Sequence, residues 1–182
     1  MATRTADDST GEVTEALAQE IYELAKFGPT AFNSKPLRVT YDRSDEARAT
    51  LVDAMARDNQ EKTAAAPLAA ILSYDTAWHE QWNNLLPGYN APKAMYDADT
   101  DFTAATGNNN AHLQTGYFML VARSLGFAVG PMTGADFSAI DASFFPGGEQ
   151  KSFLVVNIGQ PAQSGLGAPK ARFEYEKAVC TA

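Results

Sequence analysis

Apolar residues recur at helical spacing early in the chain. Leu17, Ile21, Leu24 and Ala25 predict a helix over 14–27, with Thr14 as N-cap and Glu15 in the first turn. Gly28 followed by Pro29 stops it, because glycine closes a helix end and proline cannot continue it. Residues 36–43 read as a short strand. Ser44 caps a second helix, with Asp45 and Glu46 in its positive first turn and Leu51, Val52 and Met55 facing inward. The apolar run 67–75 (PLAAILSYD) has the length of a strand. Residues 76–107 are aromatic, acidic and turn-rich, and predict short helices over a pocket. Residues 108–126 form the longest helix, with Leu113, Tyr117, Leu120, Val121 and Leu125 on one side and Gly126 at its end. Asp136 caps a helix that runs to about Phe145, and 152–158 (SFLVVNI) is a buried strand. The polar start has no period and reads as an arm over 1–13. The tail from Gly159 is rich in Gly, Pro and Ala as far as Lys170. Helices and short strands alternate without a βαβ rhythm, so the fold class is α+β, in a single domain over 1–182.

Composition narrows this picture. The 182 residues suffice for one substantial core and are too few for two. Apolar residues at 45% and charged residues at 20% fit an ordered globular chain. With 22 acidic against 14 basic residues the net charge is -8, which excludes a general nucleic-acid binder, since a phosphate backbone needs a basic surface. One phosphate site, which needs only a few local cations, remains allowed. The single cysteine, Cys180, can form no intramolecular disulfide and has no evident catalytic partner, so a reducing cytoplasm is expected. No apolar run approaches the roughly 18 residues of a membrane span, and residues 1–8 lack the apolar core of a signal peptide.

Several motifs are set aside on chemistry. Gly165-Leu166-Gly167-Ala168 lacks the third glycine of a dinucleotide fingerprint, and no P-loop is present. Asp97, Asp99 and Asp101 open like a calcium loop, but Phe102 stands where glycine is needed and Asn108 where the closing glutamate belongs. His79 and His112 are far apart and lack a companion ligand at i+4, so no metal is expected.

Two stretches carry the candidate chemistry. The first is Phe27-Gly28-Pro29-Thr30-Ala31-Phe32-Asn33-Ser34-Lys35-Pro36. The second is Leu125-Gly126-Phe127-Ala128-Val129-Gly130-Pro131-Met132-Thr133-Gly134-Ala135-Asp136. Each follows a helical pattern with small and turn-forming residues, which let peptide N–H groups and short polar side chains approach a planar polar ligand. Taken alone, 28–36 reads equally as a helix C-cap with an Asx turn into a strand, and 130–136 as a loop before a helix capped by Asp136.

Together and in this order, the stretches resemble the nitroreductase family of FMN-dependent oxidoreductases. They are most similar to its malonic semialdehyde (3-hydroxypropionate dehydrogenase) branch, where the segments run Trp-Gly-Pro-Thr-x-x-Asn-x-x-Pro and Leu-Gly-x-x-x-Gly-Pro-Met-x-Gly-Phe-Asp. The resemblance covers Arg4 to Phe173 and includes Val155-Val156-Asn157-Ile158-Gly159. It implies a central, mostly antiparallel sheet wrapped by helices, and a homodimer with FMN at the interface and helix 108–126 at the dimer core. It assigns Pro29, Thr30 and Asn33 to one edge of the flavin ring, the backbone of Thr133 and Gly134 to N5 and O4, and Pro131 to the same cofactor site. Lys35 stands where the family commonly has glutamine; positive charge there would raise the flavin potential. Ala135 replaces a usual phenylalanine.

At the phosphate end Arg4-Thr5 aligns with the family's opening motif, without the helix that precedes it there and with Asp7 where a basic residue is common. Ala168-Pro169-Lys170-Ala171-Arg172-Phe173 is similar to the branch's Leu-Pro-Arg-Leu-x-Phe, so Arg4, Lys170 and Arg172 are the candidate cations. The activity implied is ping-pong hydride transfer from NADH or NADPH to a small electrophile such as a semialdehyde. The alternatives are a broad nitroaromatic or quinone reductase, a flavin-sequestering protein, or a dimeric relative without FMN. No protein acid or base is assigned, as suits chemistry carried by a cofactor.

Overall fold

The computed structural model of the chain describes residues 13–89, 92–161 and 170–182. Its strands are β1 (Leu37–Tyr41), β2 (Leu68–Asp75), β3 (Ala128–Met132) and β4 (Gln150–Gly159). Its helices are α1 (Glu15–Ala25), α2 (Asp45–Ala54), α3 (Arg57–Ala65), α4 (Trp82–Leu85), α5 (Lys93–Ala98), α6 (Thr100–Ser124), α7 (Phe137–Phe144) and α8 (Tyr175–Ala178). The strands form one sheet in the order β1-β2-β4-β3, antiparallel at every pairing.

The two central strands are buried on both faces, which is why they read as unbroken apolar runs. Leu68, Ala70 and Leu72 of β2, with Val156 and Ile158 of β4, face Ile21 and Ala25 of α1 and Phe118 and Ala122 of α6. The alternate residues Ala69, Ile71 and Val155 face Leu51, Met55 and Ile140 around α2 and α7. The sheet is therefore the middle of three layers, as strand alternation requires. Thr14, Ser44 and Asp136 cap α1, α2 and α7 through their side-chain oxygens, as the sequence predicts. No helix among the described residues is long and apolar enough to cross a membrane.

Four readings change. Helix α3 lies where the sequence shows no apolar period, because its nine residues bury only Thr63. The second stretch is a strand, β3, for half its length. Helix α6 begins at Thr100 rather than 108, because the Asp99 carboxylate accepts from the Phe102 N–H at 2.9 Å and caps it. Leu24 in α1 and Leu113 and Leu120 in α6 are 50%, 52% and 67% exposed, so these leucines do not face the core. The buried face of α6 is instead small and polar, with Thr103, Gly107, Asn110, Ala111, Gln114 and Thr115 followed by Phe118 and Ala122. Gly107 is needed there, since a Cβ would lie 2.6 Å from the Trp78 indole nitrogen.

Candidate functional site

Helix α1 ends against α6. A Cβ on Gly28 would fall 2.0 Å from the Tyr117 ring, so glycine lets that ring lie flat on the turn. The Tyr117 hydroxyl donates to the Pro29 carbonyl at 3.1 Å. One and two turns earlier on the same face of α6, two buried amides hold the rest of the loop. The Ala31 N–H donates to Asn110 Oδ1 at 2.8 Å, and the Leu37 N–H to Gln114 Oε1 at 2.9 Å.

Suspended in this way, the loop is strained. Phe32, Asn33 and Lys35 have φ of 51°, 53° and 44°, in the left-handed region that side chains other than asparagine rarely adopt. Asn33 donates from Nδ2 to the Leu85 carbonyl at 2.9 Å. Lys35 donates from Nζ to the Gly28 carbonyl at 2.6 Å, and burial pulls its pKa below the usual lysine range. The Thr30 hydroxyl accepts weakly from the Lys35 N–H at 3.4 Å. Ser34 is buried, and its hydroxyl has no hydrogen-bond partner among the described residues.

Asn33 and Lys35 line a groove of about 940 Å³ between the end of α1, strand β1 and Leu85. That volume lies within the roughly 300–1,000 Å³ of small-molecule sites. Tyr22 and Phe27 form its apolar wall. Tyr41 also lines it, and burial pushes its hydroxyl up to about 12, so it stays protonated through neutral pH. Phe32 leads from the loop into an aromatic cluster, with ring centroids 5.4 Å from Trp82 and 6.2 Å from Tyr89.

The second stretch is held differently. Pro131 sits within β3 opposite Val156; β3 is an edge strand, where a missing N–H is tolerated. Thr133 is exposed. The Gly134 carbonyl accepts from the Ala56 N–H at 2.9 Å and from Asn59 Nδ2 at 3.0 Å. A Cβ on Gly134 would lie 2.6 Å from Asn59 Nδ2, so the close approach that glycine permits is made by the protein's own amide. Asn59 was not singled out in the sequence. Its signal was an asparagine inside a polar helix, where it is a poor helix former and needs another reason to be present. The same holds for Asn110 in α6.

The structure does not bring the two stretches together in one chain. Leu37 pairs with Tyr74, which pairs with Lys151, while Met132 pairs with Val155 and leads off the same end of the sheet. The loops thus share an end but sit on opposite edges, three strand spacings or about 14 Å apart. Each edge of the sheet thus carries one of the two candidate stretches. Of the candidate phosphate cations, Arg4 lies outside the described residues. Lys170 and Arg172 are exposed in the tail, where Arg172 donates to the Lys170 and Ala171 carbonyls at 2.9 Å.

His79 has companions that the sequence did not suggest. Its ligand atoms and those of Glu80 and Asp97 all lie within 4.8 Å of one another. The Lys93 ammonium donates to Asp97 at 2.7 Å and lies 3.5 Å from Glu80, so a cation of the protein itself already balances these carboxylates.

Comparison with known proteins agrees with the fold. The nitroreductase family model matches residues 2–160. A Streptomyces coelicolor protein named NADH dehydrogenase/NAD(P)H nitroreductase is 43% identical over 179 residues, covering 98% of this chain and 91% of the relative. Among solved structures, a nitroreductase from Exiguobacterium sibiricum in complex with FMN superposes with a TM-score of 0.86 at 21% identity, covering 100% of this chain and 93% of the other. An NAD(P)H:FMN oxidoreductase from Staphylococcus epidermidis gives 0.83 at 17% identity, over 99% and 91%.

Proposed function

The chain belongs to the nitroreductase family, and on that premise we propose that it is an FMN-dependent oxidoreductase passing hydride from NADH or NADPH to a small electrophile. When bound, FMN supplies hydride exchange at its N5, so that donor and acceptor use one pocket in turn. The observation that carries this reading is the loop 28–36, with three left-handed residues beside a groove lined by an amide and an ammonium. Strain of this kind costs roughly 1–3 kcal/mol per residue and persists at ligand sites, where the surroundings enforce it.

The residues fit the ring end of the cofactor. Asn33 offers the amide capacity that Leu85 does not use, matching the alternating donors and acceptors of a flavin edge. Pro29 and Thr30 line that edge, and Lys35 places positive charge near it. On the other half-site, Pro131 shapes the strand end. The peptide N–H groups of Thr133 and Gly134 are the donors toward N5 and O4, since the Gly134 carbonyl is already engaged. At the phosphate, Lys170 and Arg172 carry more of the charge than Arg4, whose neighbours Asp7 and Asp8 weaken the local field.

A homodimer completes this reading. Half-sites on opposite edges need a second chain to meet. The exposed Phe102, Leu113 and Leu120 give α6 an apolar outer face for that chain to cover. The protein acts in the cytoplasm, where the free, exposed Cys180 needs no partner. Malonic semialdehyde is the acceptor that the resemblance favours. A nitroaromatic or quinone acceptor is a second reading, favoured by the half-exposed rings of Phe32 and Tyr89 beside the loop.

Purified protein should be yellow, release FMN on denaturation, sediment as a dimer and oxidise NADH or NADPH with parallel-line kinetics. Uptake of FMN without turnover would make it a flavin-sequestering protein. A colourless dimer that ignores added FMN would be the relative without a cofactor.

A further inference from the structure

We propose that Lys35 makes this site selective for acceptors that carry an anionic group, a carboxylate or similar oxyanion, beside the electrophilic centre. The inference rests on the groove being the flavin and acceptor site.

A chain of net charge -8 repels anions at a distance, so an anionic acceptor must be held by a local cation. Three cationic side chains line the groove, Lys26, Lys35 and Arg38. Lys26 is paired with Glu23 and Arg38 with Asp75, and the groove's Glu15 is paired with Arg43. Lys35 differs: among the described residues no carboxylate lies within ion-pair distance of it. Its one side-chain hydrogen bond among the described residues, to the Gly28 carbonyl at 2.6 Å, uses one of the three donors of an ammonium. That bond holds the head group against the turn at Gly28 instead of leaving it to sweep through solvent.

The carbonyl offers a dipole but no countercharge. Burial lowers the lysine's pKa, as it does for an ammonium partly withdrawn from water. An acceptor's carboxylate would supply that charge to the two remaining donors. A glutamine here would hydrogen-bond an acceptor without distinguishing an anion from a neutral amide.

The test compares two acceptors of matched shape, 4-nitrobenzoate and 4-nitrobenzamide, in the FMN-loaded wild type, Lys35→Gln and Lys35→Arg. The quantity read is the ratio of their kcat/KM values, in which any loss common to both cancels. The wild type should favour the carboxylate. Lys35→Gln should lower the ratio about ten- to a hundredfold, the worth of a hydrogen bond to a charged group, and Lys35→Arg should keep most of it. Raising the salt should depress wild-type kcat/KM for the carboxylate and leave the amide unchanged. Equilibrium titration with benzoate and benzamide, followed by tryptophan fluorescence, gives the same comparison without turnover and should show the same loss in Lys35→Gln.

An unchanged ratio in Lys35→Gln overturns the proposal. So does a rise in KM for NADH with the ratio intact, which would mean that Lys35 reads the donor's phosphates. If Lys35→Gln does not fold, the wild type decides: no preference for the carboxylate and no salt sensitivity overturn the proposal. If neither compound is turned over, the benzoate and benzamide titration decides this inference, and the oxidoreductase reading falls only if NADH and NADPH also go unoxidised.

Discussion

The loops at 28–36 and 132–136 are alike in composition and opposite in construction. The first hangs from side chains on a distant helix, Asn110, Gln114 and Tyr117 of α6. The second is clamped by main chain: Ala56 N–H on the Gly134 carbonyl at 2.9 Å, Asp136 N–H on the Ala54 carbonyl at 2.8 Å, and a bridge from Met55 to Ala135. Three residues of the first have positive φ and none of the second does. Side-chain suspension fixes where a loop's ends lie and leaves its middle free to be forced into unfavourable conformations. Main-chain pairing regularises every residue it touches. The strained loop opens a groove, while the relaxed one is packed against α3.

The largest test of this contrast is at the base of the second loop. Arg48 donates to the Thr63 carbonyl at 2.9 Å and to the Ala66 carbonyl, and pairs with the buried Asp42. It ties the end of α3, and through Asn59 the second loop, to α2. Arg48→Ala should cost about 3–5 kcal/mol, because it leaves a buried charge unpaired. Amide exchange should rise over α3 and 132–136 and not over 28–36.

The pH dependence follows from Asp42. Burial raises its pKa above the usual carboxylate range, against the opposing Ala69 N–H and Arg48. A carboxyl raised in the folded state binds protons there more readily than in the unfolded chain. Its contribution to stability is therefore present at low pH and lost as the pH rises through the folded value. Without Arg48 the folded value moves higher still, so the variant's stability deficit should shrink as the pH falls from 7 toward 5. A deficit independent of pH would show that Asp42 is not the group left exposed to the change.

A second test asks which loop holds the cofactor. Asn33→Ala should weaken FMN binding by about 1–3 kcal/mol, the cost of leaving buried polar groups unpaired. Asn59→Ala should weaken it less, since that amide is spent on the Gly134 carbonyl. Flavin titration of both variants decides it, and unchanged affinity in folded Asn33→Ala would make the residue only a turn former.

The smallest effect compares the two glycines. At Gly28 an added methyl meets the Tyr117 ring atoms at 2.0 and 2.5 Å, and at Gly134 the end of a flexible amide at 2.6 Å. Overpacking against a rigid ring costs more than pushing an amide aside. Gly28→Ala should be the more destabilising by about 1 kcal/mol in denaturant midpoints. Equal losses would mean that Tyr117 swings away freely and the first loop does not depend on it.

The elements written in local chemistry were legible without the structure. Thr14, Ser44 and Asp136 cap their helices as their side chains allow, Gly126 closes α6 with φ of 94°, and the apolar runs of β2 and β4 lie between two layers. The elements missed are those whose reason lies elsewhere in the chain. Helix α3 has no apolar period because it packs through Thr63 and backbone contacts. The inner face of α6 is polar because Asn110 and Gln114 serve a loop nearly eighty residues away, separated from them by 79 and 77 positions.

The sequence by itself determined that Gly28, Asn33 and Gly134 stand at turns, that the chain forms an α+β domain, and that the ordered pair of stretches resembles one family. Those facts depend on neighbours in the chain, and local sterics and hydrogen bonding decide them. Tertiary structure alone decided that the two stretches sit on opposite edges of the sheet, that Gly28 and Gly134 make room for Tyr117 and Asn59, and that Lys35 is the groove cation with no carboxylate partner among the described residues. Strand order, helix packing and charge pairing join residues far apart in the chain, and no local pattern carries the distance between them.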